Sequence, residues 1–468
     1  MFCVILVTGD DMEKKDYEKL LSLAMSTGAD FAEIYEEDGK TTNYRVLNSM
    51  LDTISSNTTK GVGVRLIKGN NYYYTSTNDI RKTNLIKMIK NLIKNINEKN
   101  DNPNIILNNL EEKYPEIEIP HDSYPIEKKK EFLLDMDKKI RKVSNQISQV
   151  SLGILEDDKE YLIANSNGKY IKSRKSVTRY TCSVFAEDKD KKEVEFTDFG
   201  QAKGYEILKK DLETKSINAA KVAIEKLTAE DFKGGELPVI IAPGFGAVIF
   251  HEACGHGLEA TSVAPKLSVF SEDLGKKVAS SKVTLIDDGT ISNAWGSNLI
   301  DDEGTTTQKN ILIEDGILKT YLVDKLHEDS MNITANGCGR RESYNYAPTS
   351  RMSNTYLKPG TDTFEDMLKS IKLGVYCERM SGGTVNPSTG DFNFAVETAR
   401  LIENGKLTKR IKGITLIGNS KDILQNVEMI SSDLELSAGY CGSKSGMIYV
   451  TIGQPTIKVS KILVGGKE

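Results

Sequence analysis

The sequence predicts an α+β protein of two domains: an N-terminal mixed α/β domain with long helices (residues 1–230) and a C-terminal, mostly β domain with few helices (residues 231–468). Three observations lead there. A length of 468 residues is enough for two separate cores. Before residue 229, segments with helical apolar spacing alternate with short β-like runs. After Gly234-Gly235 the chain is richer in glycine and short β runs, which places the boundary within residues 229–237.

Residues 15–26 read as an amphipathic helix stopped by Gly28, followed by a strand at 31–35. Residues 46–56, 61–67 and 72–77 read as meander strands, with Gly69-Asn70-Asn71 as a turn. Residues 80–95 and 126–143 are long Lys-rich amphipathic helices. Between them, residues 100–125 carry four prolines and form an irregular connector. Strands at 150–156, 161–165 and 178–186 follow, and a helix rich in Ala and Lys at 212–227 closes this half. In the second half, strands are expected at 311–314, 318–323, 396–403 and 411–418. Glu314-Asp315-Gly316 and Glu403-Asn404-Gly405 serve as hairpin signals.

A net charge of −5 gives no electrostatic case for nucleic acid. The basic cluster Glu127-Lys128-Lys129-Lys130 reads as a solvated helical face. Six cysteines without a C-x-x-C pair argue against a disulfide framework and fit a reducing, cytoplasmic setting. No apolar run reaches the roughly 18 residues of a membrane span. The apolar opening, Met1 to Val7, lacks a basic n-region and a cleavage site; residues before Met12 are either a peripheral strand or an over-long start.

The chemistry concentrates at His251-Glu252-Ala253-Cys254-Gly255-His256, half of the four histidines within six residues. Two imidazoles can hold zinc, and a Glu beside the first can take a proton from a metal-activated water. The common H-E-x-x-H pattern sets its histidines about 40° apart around a helix, whereas a separation of i, i+5 sets them roughly 140° apart. One residue accommodated as a π-bulge returns both rings to one face, and Gly255 is where the backbone yields most easily. Upstream, Pro238-Val239-Ile240-Ile241, the break Pro243-Gly244-Phe245-Gly246 and Ala247-Val248-Ile249-Phe250 read as strand, glycine loop and apolar helix start. That loop has no Gly-Lys-Ser/Thr behind it and no third glycine at dinucleotide spacing, so neither nucleotide fingerprint applies.

A catalytic zinc site needs a third protein ligand. His121 lies in the Pro-rich connector and His327 amid charges, and both are poor candidates. Cys254 faces away from its neighbouring ligand on a helix. Glu259, three residues after His256, and Cys441, in the glycine-punctuated stretch 437–446 where a loop could present its thiolate, remain equal on these grounds.

H-E-A-C-G-H-G-L-E is followed in order by Asp301-Asp302-Glu303-Gly304-Thr305, Arg340-Arg341-Glu342-Ser343-Tyr344-Asn345-Tyr346-Ala347-Pro348, Arg351-Met352-Ser353-Asn354-Thr355 and Gly439-Tyr440-Cys441-Gly442. Gly61-Val62-Gly63-Val64-Arg65 and Ser76-Thr77-Asn78-Asp79 belong to the same set. Together they resemble the TldD/PmbA family of modulator-of-gyrase metallopeptidases, on the TldD side, over nearly the whole chain. The resemblance implies a zinc peptidase with ligands His251, His256 and Cys441 and Glu252 as general base. It also implies a dimer that encloses the site, either a homodimer or a heterodimer with a PmbA/TldE-type subunit lacking the metal motif. One departure is Ala260-Thr261 after Glu259, where some relatives have Gly-Asp.

A thiolate ligand makes zinc a weaker Lewis acid than three imidazoles would, so donors to the oxyanion gain importance. Arg340, Arg341, Tyr344 and Tyr346 are chemically suited to that, or to gripping a peptide; the alternative is a structural polar turn. The expected substrate is a short or unfolded polypeptide, with neither nucleic acid nor membrane as partner, and no Walker-type loop is present to drive unfolding with ATP. Two rivals stand beside this reading: an assembly subunit with a structural zinc completed by Glu259 or Cys254, and a small-molecule amidase.

Overall fold

In the computed structural model, residues 12–466 are described apart from 95, 97–102, 111 and 113; the apolar opening segment lies outside the described residues. The class is α+β. The N-terminal half forms one sheet of β1 (Phe31–Leu47), β2 (Met50–Lys68), β3 (Asn71–Thr77), β4 (Asn108–Asn109), β5 (Ile147–Asn165), β6 (Lys169–Asp188) and β7 (Lys191–Gln201). Its order is β3-β2-β1-β5-β6, with β4 and β7 both paired to β6.

Period-two alternation assigns a job to each face of these long strands. On β1, Ala32 and Ile34 pack under α1 (Lys14–Met25) and α2 (Lys82–Ile93). Farther along the same strand, Tyr44 and Val46 pack under α3 (Ile126–Arg141) and α4 (Leu212–Lys226). The odd residues turn the other way. Tyr35 joins Tyr161, Ile163 and Ile171 against Ile300 of the C-terminal half.

From Glu230 onward every strand pairs only within residues 230–465. Strands Gly234–Ile241, Ile457–Gly465, Ile414–Asn419, Asp391–Glu403 and Leu373–Val385 pair in a closed ring. A second sheet runs through Leu285–Asp288, Asn354–Leu357 and Gly446–Gln454 to the edge strand Glu435–Ser443.

The two halves are joined by buried charge and by a close aromatic approach. The Arg65 guanidinium lies 3.0 Å from Glu33 and 2.7 Å from Glu303, and Arg341 takes the other oxygen of Glu33. Two cations and two anions buried together offset each other's desolvation, and removing one leaves an uncompensated charge. Beside them a Cβ on Gly61 would stand 2.5 Å from the Tyr344 ring, and one on Gly63 would stand 2.0 Å from the Tyr74 hydroxyl and 2.8 Å from the Tyr344 carbonyl oxygen. Gly63→Val is expected to cost about 1–3 kcal/mol through overpacking. A lowered melting temperature checks this; an unchanged one would mean the halves do not rely on this approach.

Several expected elements differ. Residues 46–56 are not one strand but cross the β1–β2 turn, where Asn48 and Ser49 take φ of 48° and 63°. The strands expected at 150–156 and 161–165 are one continuous β5, and those expected from 72 to 77 and from 178 to 186 lie within β3 and β6. Within residues 318–323 only Leu318 belongs to a strand, Ile317–Leu318. Leu322 instead braces the motif, donating to the Leu258 carbonyl at 2.9 Å and accepting from Ala260 N–H at 2.8 Å. Residues 411–418 break at Gly413, whose φ is 68°. Lys129 is not a solvated residue but a buried one, ion-paired with Glu156. Among the described residues no helix is long and apolar enough to cross a membrane.

Candidate metal centre

The motif follows the strand Gly234–Ile241 through a tight turn at Gly244–Ala247, in which Gly244 takes φ of 72°. One turn of α-helix, Val248–Phe250, buries its three apolar side chains, and the chain then widens into a π-helical turn over His251–Gly255. The His256 N–H donates to the His251 carbonyl five residues back. That extra residue turns both rings to one side, with centroids 5.1 Å apart and planes at 81°. Gly255 is required by packing as well: a Cβ there would lie 2.0 Å from the Met352 sulfur.

Gly255→Ala should therefore displace the π turn and weaken zinc affinity about tenfold, with recovery when Met352→Ala makes room. Zinc titration of the single and double variants checks the pair. Wild-type affinity in the single variant would show that the turn yields without harm to the site.

Cys441 arrives from the other end of the sequence. It sits on an edge strand rather than in a loop, directly across a hairpin from Ile448. Its Sγ lies 3.3 Å from His251 Nε2 and 3.2 Å from His256 Nε2. These three ligand atoms form a group within 4.8 Å of one another, and among the described residues it is the only such group of three or more. Ligand atoms around a tetrahedral zinc stand roughly 3.5 Å apart, so the donor set fits the ion in both chemistry and spacing.

The three groups are also coupled electrostatically. Burial opposes ionisation of the Cys441 thiol, but the charge of His251 and hydrogen bonds from both imidazoles pull it down to about 3. Burial likewise opposes a charged His256, yet Glu259 and Cys441 hold its pKa well above the usual histidine value.

The two glutamates take different sides of His256. Glu259 Oε2 is 3.0 Å from Nδ1, behind the ring, and its carboxylate is buried. Glu252 Oε2 is 3.8 Å from Nε2, on the side where Cys441 lies, and its side chain is 26% exposed. Glu259 is placed to orient the imidazole, and Glu252 is placed to meet whatever reaches the donors.

Arg351 heads one of the segments that carry the family resemblance, but the sequence alone assigned it no role. Fully buried, it donates to the Cys441 carbonyl at 2.7 Å and to Ser445 Oγ at 2.9 Å, and its Nε stands 3.8 Å from Glu259 Oε1. It thereby ties the cysteine hairpin to the carboxylate behind His256. At the departure after Glu259, Thr261 is held by Ser350 Oγ through its N–H at 3.0 Å and its hydroxyl at 2.7 Å.

The remaining candidates fall outside the group. His121 is buried near Thr178 in the N-terminal half, and His327 contacts Asp324. Cys254 is buried in the core, its thiol pushed up by desolvation. Arg340, Arg341 and Tyr346 line a cleft of about 480 Å³ between the N-terminal sheet and the cysteine hairpin. Arg341 is held by Glu33 and stacks over Tyr35 at 4.3 Å, and the Tyr344 N–H donates to Glu37 at 3.0 Å.

Family models for the PmbA/TldA metallopeptidases match residues 32–96 (domain 1), 119–229 (central domain) and 234–466 (C-terminal domain). The chain is 33% identical over 449 residues to a "Metalloprotease TldD homolog" of Buchnera aphidicola, covering 93% of each. It is 34% identical over 251 residues to a "Zinc metalloprotease TldD homolog" of Saccharolobus solfataricus, covering 53% of this chain and 56% of that one. The crystal structure of TldE from Thermococcus kodakarensis superposes with a TM-score of 0.77 at 19% identity, covering 96% of this chain and 100% of that chain. With residues 32–96, 119–229 and 234–466 all matched by models of one family, the chain belongs to the TldD/PmbA metallopeptidases.

Proposed function

We propose that this metallopeptidase is zinc-dependent and hydrolyses short or unstructured peptides, with His251, His256 and Cys441 as metal ligands and Glu252 as general base. The observation that carries the reading is the convergence of Cys441 Sγ on both Nε2 atoms, at 3.3 and 3.2 Å, with a partly exposed carboxylate beside them. Zinc bound there would supply a Lewis acid that polarises a peptide carbonyl and acidifies a water. Glu252 takes the water's proton at its carboxylate and returns it to the leaving amine. Glu259 holds His256 through Nδ1, leaving Nε2 for the metal. Arg340 and Tyr346 bound the cleft on the substrate side, while Arg341 and Tyr344 fix that wall against the N-terminal sheet.

The rival structural zinc calls for a fourth protein ligand from Glu259 or Cys254. Glu259 contacts the far nitrogen of His256, and Cys254 points into the core. In the proposed reading the chain works as a dimer, a homodimer or a pair with a TldE-type subunit. It works in the cytoplasm, where a thiolate ligand stays reduced.

Purification with any co-expressed partner, followed by zinc analysis and a peptide-library digest, tests the reading. In the proposed dimer the site is enclosed, and an enclosed site admits an extended chain but not a folded domain. One small protein should therefore be digested without ATP in an unfolded variant and spared in its native form. Equal rates for the two would remove the enclosed-site part of the proposal.

A further inference from the structure

The cleft beside the cysteine hairpin holds Lys159, Lys175, Arg340 and Arg341 against Glu37, Asp157, Asp302 and Glu342, but pairs them unevenly. The β5–β6 register sets Lys159 directly opposite Lys175, and like charges so placed destabilise a sheet. Lys159 is compensated: its ammonium is 3.1 Å from Glu37 and donates to the Glu342 carbonyl at 3.1 Å. Lys175 is not. Among the described residues no carboxylate lies within ion-pair distance of it, and its close contact is the ring of Tyr449, 4.8 Å away.

Arg340 enters the same cleft from the C-terminal half. It is buried, makes no ion pair among the described residues, donates to the Met352 carbonyl at 2.8 Å and leaves a buried Nε without a partner. The nearest acids, Asp157 and Asp302, attract these cations from beyond ion-pair distance and spend their hydrogen bonds on neutral donors. Asp157 accepts from Thr41 at 2.9 Å and Tyr449 at 2.6 Å, and Asp302 accepts from the Arg341 N–H at 2.8 Å. Gly39, across from Lys159, keeps the floor of the cleft clear of a side chain. Two cations without an ion pair among the described residues thus face one cleft whose wall includes Tyr440 and Ile448, neighbours of Cys441 along and across its hairpin.

We propose that Lys175 and Arg340 form a carboxylate-binding subsite, which takes either the C-terminal carboxylate or an acidic side chain of the peptide presented to the metal centre. The proposal rests on the peptidase reading above. A bound carboxylate gives each cation the charge-assisted partner it lacks and relieves the repulsion across β5 and β6. Burial and the charge of Arg340 also hold the Lys175 ammonium well below its usual pKa, a cost that an anion removes.

Binding is measured on the full-length Glu252→Gln protein, so that peptides are held and not cut. Three labelled peptides share one sequence: a free C-terminus without acidic residues, the same peptide amidated, and an amidated form with one Glu. With Lys175 present, a carboxylate form is expected to bind about tenfold more tightly than the neutral amide. Lys175→Met should bring that ratio close to one, and Lys175→Arg should restore it. Which carboxylate form gains identifies the source. A ratio near one with Lys175 in place, or one unchanged by Lys175→Met, overturns the subsite. Failure of the zinc-loaded wild-type protein to cut any of the three would instead remove the peptidase reading, while the binding ratios still judge the subsite.

Discussion

Glu252→Gln is expected to keep its zinc and lose turnover by about two to four orders of magnitude, the span that a positioned general base contributes. The substitution preserves size and removes only the ability to accept a proton. Glu252 belongs to no ligand contact: Cys441 Sγ and the two Nε2 atoms form the donor group without it. Its carboxylate nonetheless reaches within 3.8 Å of His256 Nε2 and keeps 26% of its side-chain surface exposed, so water and substrate can reach it. Metal content and kcat on an unfolded polypeptide separate the outcomes. Near-normal kcat would remove Glu252 from the base role, whereas loss of zinc would recast it as a ligand.

The part of the site that could be read from the sequence is the part that is local. His251 and His256 lie within one turn of chain, and the i, i+5 spacing, with Gly255 between them, carried its own geometric demand for a π turn, which the His256 N–H to His251 carbonyl bond supplies. Cys441 lies 185 residues beyond His256, and nothing in its neighbourhood separated it from Glu259 as third ligand. That choice came only from the family resemblance. The i, i+3 spacing of His256 and Glu259 did foretell contact, but not which ring nitrogen would be touched, and that decides between ligand and orienting group. Lys175 was illegible because a lysine amid Ser173, Arg174 and Ser176 looks like any solvated strand until the hairpin closes over it.

The fold shows the same division. Helices α1, α3 and α4 match their expected spans within about two residues, since apolar spacing follows from a local amphipathic face. Strand lengths did not. Asp157-Asp158-Lys159-Glu160 looked like a break in β5, yet it is the stretch that lines two clefts, one facing the cysteine hairpin and one within the N-terminal half, where polar residues are tolerated on a strand paired on both sides. Asn48-Ser49 was missed as a turn because two left-handed residues without glycine carry a weak signal, whereas Asp315-Gly316 and Asn404-Gly405 were found.

Cys441→Ser should strip most of the zinc and with it the activity. A serine hydroxyl is a poor zinc ligand at neutral pH, and three protein ligands would fall to two. The hairpin itself should survive, because its backbone register and the 2.7 Å bond from Arg351 to the residue 441 carbonyl do not involve the sulfur. Far-UV circular dichroism should therefore stay native while zinc content collapses. Glu259→Gln provides the contrast: the amide can still meet Nδ1, so affinity should fall by about 10- to 100-fold, the range for a group that orients a ligand from behind. Both variants are read by zinc titration against a chelator of known affinity. Full occupancy in Cys441→Ser with near-complete loss in Glu259→Gln would transfer the third ligand to Glu259, and the position of Cys441 between the two imidazoles would then need another cause.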